Sequence, residues 1–147
     1  MRTRLIDTGP LVAYLDSGDP AHAQVVPHLD GFTGSLATTC AVITEAMHRV
    51  SADPTGARLL AEFVGASGLE IYDLCRPPEL DAAVALMEKY ADTPMDFADA
   101  TLVLLAEALD LRDILTLDRR GFSTFQTRPG RTLRLVLDRP DSGRRRR

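Results

Sequence analysis

Apolar positions along this chain switch between strand-like runs and helical spacing, and the switches come in alternation. Thr3 to Ile6 is a short, partly β-branched run that ends at Asp7-Thr8-Gly9-Pro10. A proline that early in a helix lacks only an N–H that a helix start leaves unused, so the segment reads as a strand running into a helix. That helix holds Leu11, Val12, Tyr14 and Leu15, a second one covers Ala21 to Leu29, and a turn follows over Gly31 to Gly34. Leu36 to Thr38 is the second predicted strand. Beyond it Val42, Ile43, Ala46, Met47 and Val50 are spaced for a helix over Ala41 to Val50, with Thr39 as its N-cap.

The same alternation continues to the C-terminus. A helix from Pro54 to Ala66 closes at Gly68, Leu69 to Leu74 alternates as a strand, and Pro77-Pro78 opens a helix that runs to about Ala91. Thr93-Pro94-Met95-Asp96 has the form of a capping box, with Thr93 as cap, Pro94 at the first helical position and Asp96 at the third. The apolar helix behind it reaches Leu109. Ile114 to Leu117 is then a strand ending at Asp118, and Leu133 to Leu137 is a last strand, paired with Ser123 to Thr127. Strands that alternate with helices predict an α/β fold with an open, mainly parallel central sheet flanked by helices on both faces. Ligands of such sheets gather beyond the carboxyl ends of the strands, where strand order reverses. Asp7 and Asp118 are both placed on that edge.

Composition sets the class. A chain of 147 residues, 45% hydrophobic and 26% charged, matches one ordinary globular domain. The apolar stretch after Met1 is too short for a signal or a membrane span, and a cytoplasmic location is expected. Cys40 and Cys75 form no C-x-x-C pair and have no histidine at zinc-ligand spacing, so both are expected to be reduced and buried. The net charge of -4 is unevenly spread: residues 1–110 carry 6 basic and 17 acidic groups, and residues 111–147 carry 11 basic and 4 acidic. A basic C-terminal segment collects phosphates, although Arg119, Arg120, Arg128, Arg131 and Arg134 read equally well as a solvated face and Arg144 to Arg147 as a disordered tail.

The acids carry the chemistry. Hydrolysing a phosphodiester requires charge neutralisation at the phosphoryl oxygens and a nucleophile made from water, which a divalent cation held by a few carboxylates supplies. Asp7, Glu45, Asp96, Asp99 and Asp118 each adjoin apolar sequence that belongs to the core. Each also has a local explanation. Asp7 caps a helix, Glu45 pairs with Arg49 one turn on, Asp96 completes the capping box, and Asp118 opens a turn. Asp99 lies past that box, where capping and the helix dipole explain it least. The convergence of Asp7 and Asp118 after strands, with Asp96 and Asp99 on one helix face, favours a shared site.

Leu5-Ile6-Asp7-Thr8, the Thr44-Glu45 helix, Met95-Asp96-Phe97-Ala98-Asp99-Ala100 and Thr116-Leu117-Asp118-Arg119-Arg120 resemble, in order, the four acidic motifs of PIN domains, and the length is similar to VapC-type toxins. At Gly121-Phe122 the chain departs from similar sequences, in which an acid often precedes the aromatic residue. The resemblance implies a PIN-like nuclease domain over residues 1–140 with a basic tail over 141–147. It implies a metal-dependent endoribonuclease using Mg²⁺, with Mn²⁺ as substitute, and the toxin of a toxin–antitoxin pair. It implies RNA as substrate, a small antitoxin as partner and a homodimer as assembly. By motif position Asp7 and Asp99 are the principal metal ligands, Glu45 completes the site, Asp118 holds the metal or its waters, and Asp96 is an additional acid. Thr8 and Thr116 are candidates for orienting carboxylates.

Other chemistries fit less well. His22, His28 and His48 form no catalytic pair, Ser17, Ser35, Ser51 and Ser67 lack a nucleophile-elbow context, and no phosphate-binding G-x-x-x-x-G-K motif is present. A phosphoacceptor domain wants a lysine after a late strand, whereas Lys89 falls inside a helix. An aspartyl phosphatase wants D-x-D-x-T where this chain has Asp7-Thr8-Gly9. The remaining alternatives are a PIN-like RNA- or protein-binding module without turnover and a DNA nuclease using the same acids.

Overall fold

The computed structural model describes residues 2–138, so Arg144 to Arg147 and the predicted tail lie outside the described residues. Five strands, β1 (Thr3–Ile6), β2 (Ser35–Thr39), β3 (Glu70–Tyr72), β4 (Asp113–Leu115) and β5 (Arg134–Leu135), form one sheet in the order β3-β2-β1-β4-β5. Every pairing is parallel, with Leu5 opposite Ala37 on one side and Ile114 on the other. Seven helices connect them: α1 (Thr8–Leu15), α2 (His22–Asp30), α3 (Cys40–Val50), α4 (Gly56–Ser67), α5 (Pro77–Lys89), α6 (Phe97–Leu109) and α7 (Arg119–Phe122). From β1 the chain steps one way to β2 and β3, then returns past β1 to β4 and β5. Right-handed crossovers in opposite directions place helices on opposite faces, and the strand order reverses between β1 and β4.

Burial explains the strand sequences. Leu5, Ile6, Ala37, Ile114 and Leu115 are fully buried because the inner strands of a parallel sheet are covered on both sides. Helix α6 is buried almost all round, from Ala98 through Ala100–Ala106, and packs against β2, α3 and α5. No helix of the described residues is long and apolar enough to cross a membrane.

Three expectations are corrected. The segment Ser123 to Thr127 is not a strand; β5 pairs in parallel with β4, and only an isolated antiparallel bridge joins Gln126 to Thr132. Phe122 and Phe125 are both buried and meet edge to face at 5.2 Å, and two inward aromatics three residues apart suit a helical turn, not a pleated strand. Helix α4 starts at Gly56 because Asp53 Oδ1 accepts from both the backbone N–H and the hydroxyl of Thr55, a local turn that occupies the residues before it. Cys40 and Cys75 are free thiols as expected, but both are exposed, one at the first position of α3 and the other in the loop after β3.

Several described arginines of the C-terminal third, and Arg2 with them, fall on the two edges of the sheet. Arg2, Arg112, Arg131 and Arg134 sit at the amino edge, where Asp113 and Asp110 pair with them. Arg119 and Arg120 follow Asp118 on the carboxyl edge, and Arg119 pairs with Asp138 at 3.0 Å.

Candidate active site

Asp7 stands where β1 ends, beside β4, at the reversal of strand order. Its backbone N–H continues the sheet by donating to the carbonyl of Leu115 at 3.0 Å. Its Oδ1 accepts from the Thr8 N–H at 2.8 Å, which makes it the N-cap of α1, and its Oδ2 accepts from the Thr116 hydroxyl at 2.8 Å. The capping explanation therefore holds, but it covers only one oxygen. The residue is 8% exposed, and burial pushes its carboxyl up to about 6 even though both hydrogen bonds pull the other way; Glu45 and Asp96 add to the rise.

Glu45 reaches the same place from α3. Its Oε1 accepts from the Thr8 hydroxyl at 2.8 Å, so the partner comes from α1 and not from Arg49 one turn on. Thr39 caps α3 by accepting from the Val42 N–H at 3.3 Å. The Thr39 hydroxyl also meets that of Thr101 at 2.8 Å, which ties the start of α3 to α6. Nothing in the sequence marked Thr101, because a hydroxyl inside an apolar helix has no local signature of a partner 62 residues away.

The start of α6 differs from the sequence expectation. Asp96, not Thr93, is the N-cap, and its Oδ1 accepts from the Asp99 N–H at 2.8 Å while Asp99 Oδ2 accepts from the Asp96 N–H at 3.2 Å. Two boxes overlap here, Thr93-x-x-Asp96 and Asp96-x-x-Asp99. Aspartate caps more strongly than threonine, and the Met95 side chain is buried ahead of the helix, so the later box forms. Asp96 is exposed and Asp99 half-buried. Burial first, then the charges of Asp7 and Asp96, push the Asp99 carboxyl up to about 8.

Asp118 is set apart. It lies three residues beyond the end of β4, not directly after it, because the strand ends at Leu115. Its Oδ1 accepts from the Gly121 N–H at 3.0 Å as the cap of α7, and its own N–H donates to the Thr116 hydroxyl oxygen at 3.0 Å.

Asp7, Glu45, Asp96 and Asp99 thus influence one another at the carboxyl edge, and no ion pair of the described residues includes any of them or Asp118. Such a group repels itself. Asp7 and Asp99 bind protons more tightly in the folded protein than at their ordinary value of 3.8, so folding takes up protons between that value and about 6 and 8 respectively. Their contribution to stability is complete below the unfolded value and is lost as pH rises through the folded ones. The metal-free protein is accordingly expected to lose stability as pH rises from about 4 to about 8. Urea denaturation across that range in chelator checks this, and a flat or rising profile would contradict the electrostatics.

All donors here are hard oxygens, the kind that Mg²⁺ and Mn²⁺ prefer, gathered around the buried Asp7, and among the described residues none of them is in an ion pair. Among the described residues no three groups stand ready-made around one point. Asp96 and Asp99 are turned onto backbone N–H groups, so holding an ion requires part of that box to open.

No family model matches the chain. Over 126 residues the chain is 36% identical to Ribonuclease VapC26 of Mycobacterium tuberculosis, an alignment that covers 83% of this chain and 91% of that protein. Among solved structures it superposes on VapC20 of Mycobacterium tuberculosis, described as a sarcin-ricin loop cleaving toxin, with a TM-score of 0.69 at 13% identity, over 82% of this chain and 95% of that one. It also superposes on a chain of a toxin-antitoxin complex from Klebsiella pneumoniae, with a TM-score of 0.61 at 19% identity, over 83% and 92%.

Proposed function

Because the chain belongs to the VapC ribonuclease family, we propose that it is the toxin of a toxin–antitoxin pair, an endoribonuclease that hydrolyses RNA with Mg²⁺ or Mn²⁺ held by Asp7 and Asp99. The observation that carries the site assignment is the setting of Asp7: buried at the strand-order reversal, oriented through both oxygens, repelled by Glu45 and Asp96, and in no ion pair among the described residues. When bound, the divalent ion supplies charge that offsets the phosphoryl oxygens and Lewis acidity toward the attacking water. The protein's own groups do the rest. Thr116 and Thr8 N–H fix the Asp7 carboxylate, the Thr8 hydroxyl fixes Glu45, and the half-buried Asp99 adds the second strong donor. Orienting partners of this kind typically matter by about 10- to 100-fold in metal affinity or activity.

The partners follow from the same reading. A small antitoxin is the expected neutralising protein, which the Klebsiella pneumoniae complex supports for this fold. A homodimer is the expected assembly, and Leu80 and Val84, one turn apart on α5 and 41% and 48% exposed, offer apolar surface for it.

The test is cleavage of matched RNA and DNA oligonucleotides with Mg²⁺, with Mn²⁺ and with chelator. RNA is expected to be cut only when a metal is supplied, leaving 5′-phosphate and 3′-hydroxyl ends. Undiminished cleavage in chelator, cyclic phosphate ends, or preference for DNA would overturn the reading.

A further inference from the structure

Two buried threonines that no acidic motif includes join the segments that carry the acids. Thr39 and Thr101 are both fully buried, and their hydroxyls meet at 2.8 Å. The Thr101 hydroxyl also donates to the Ala98 carbonyl at 2.7 Å, and the Thr39 hydroxyl oxygen accepts from the Val42 N–H at 3.3 Å. A hydroxyl has one proton to give, so every group finds a partner only when the bonds run one way, from Val42 N–H to Thr39, from Thr39 to Thr101 and from Thr101 to the Ala98 carbonyl. One end of that chain lies in the first turn of α3, three residues before Glu45, and the other lies in the first turn of α6, at the residue before Asp99. The neighbouring Thr38, buried as well, donates to the Ile6 carbonyl at 2.7 Å, at the residue before Asp7. The end of β2 thus fastens the three segments that bear Asp7, Glu45 and Asp99. Packing alone does not call for a hydroxyl at position 101, since Leu102 to Ala106 behind it are all buried and apolar; a satisfied buried network adds direction instead. The bond from Thr101 to Ala98 also holds the first turn of α6 without using the Asp99 side chain, which has to leave the Asp96 N–H to reach an ion.

We propose that Thr101 is a positioning residue for the metal site, which through its bond to Thr39 sets the separation between the first turn of α6, with Asp99, and the first turn of α3, with Glu45. A methyl group in place of the Thr101 hydroxyl leaves the Thr39 proton without its acceptor, and carbon and oxygen stay about 3.3–3.6 Å apart where the two hydroxyls stand at 2.8 Å. The two helix starts then separate by roughly half an ångström, which is about the tolerance of a ligand constellation. This inference rests on the proposed metal-dependent reading of the acids.

Calorimetric Mn²⁺ titration and urea denaturation of the full chain test it, with wild type, Asp7→Asn, Thr101→Val, Thr101→Ser and, as a control, Thr127→Val. Thr127 is a buried threonine of the turn at the amino edge, where its hydroxyl oxygen accepts from the Arg131 N–H at 3.3 Å. Asp7→Asn is expected to weaken Mn²⁺ binding at least about tenfold, as removal of a ligand should, and Thr101→Val to weaken it about tenfold. Thr101→Ser keeps the hydroxyl and stays within about twofold of wild type. Thr127→Val lowers the urea midpoint as Thr101→Val does, yet its affinity stays within about twofold of wild type because the site is distant. An unchanged affinity in folded Thr101→Val, beside a loss in Asp7→Asn, would overturn the proposal and leave the metal-dependent reading standing. A Thr101→Ser as weak as Thr101→Val, or a Thr127→Val that loses as much affinity, would overturn it as well, by showing that the hydroxyl is not the cause. Should Thr101→Val fail to fold, Thr101→Ala, which loses the hydroxyl and adds no bulk, takes its place in each comparison. A wild type that binds no Mn²⁺, or an Asp7→Asn that binds it unchanged, removes the metal reading and this inference together.

Discussion

Asp7→Asn is expected to lower RNA cleavage by roughly three orders of magnitude while making the metal-free protein more stable at pH 8. The two effects come from one cause. Asp7 is buried at a position that suits a charged ligand and costs the empty fold free energy, so removing its charge harms catalysis and relieves folding. Raising its carboxyl from 3.8 to about 6 corresponds to roughly 3 kcal/mol against the ionised form at pH 8. Asparagine keeps the α1 cap, because its Oδ1 still accepts from the Thr8 N–H. It replaces Oδ2 with a donor, and the Thr116 hydroxyl, which already accepts from Asp118 N–H, then loses its acceptor at a cost of about 1 kcal/mol. A net gain of about 1–2 kcal/mol is therefore expected, seen as a higher urea midpoint in chelator. A large loss of stability in the metal-free variant would show instead that the carboxylate is held for the sake of the helix start.

The second large effect separates the two acids at the start of α6. Asp99→Asn is expected to reduce cleavage by about two to three orders of magnitude and to weaken Mn²⁺ binding, whereas Asp96→Asn retains turnover within about tenfold of wild type. Both carboxylates take part in the same box, so capping does not distinguish them. What distinguishes them is solvation and position. Asp99 is half-buried and its carboxyl is raised to about 8 by burial and by the charge of Asp7, while Asp96 is exposed and well placed for its asparagine to keep the cap. Cleavage rates and Mn²⁺ affinities of both variants check this, and a dead Asp96→Asn beside an active Asp99→Asn would reverse the assignment.

What could be read along the chain was whatever depends on near neighbours. The strand at Thr3 to Ile6, the Thr39 cap, the left-handed Gly68 that ends α4 and the Pro77-Pro78 helix start all rest on local dihedral preference or periodicity, and all stand in the structure. The parallel sheet was legible too, because strands that alternate with helices leave few other topologies. Local reading failed where two local answers competed. The earlier of two overlapping capping boxes was read as the helix start although aspartate is the stronger cap, and the buried pair Phe122 and Phe125 belongs to a turn that carries on from the end of α7 into a segment read as a strand.

By itself, then, the sequence determined the kind of sheet, the edge on which Asp7 lies and the supply of carboxylates from separate segments. Only the tertiary structure decided how those carboxylates are held and charged. Thr116 meets Asp7 across 109 residues and Thr8 meets Glu45 across 37, and no local pattern encodes such pairs. Ionisation is set by the same long-range packing: a carboxylate's charge is costly in proportion to the water that its neighbours remove and the like charges they bring near, and both are fixed only when β1, β4, α3 and α6 come together.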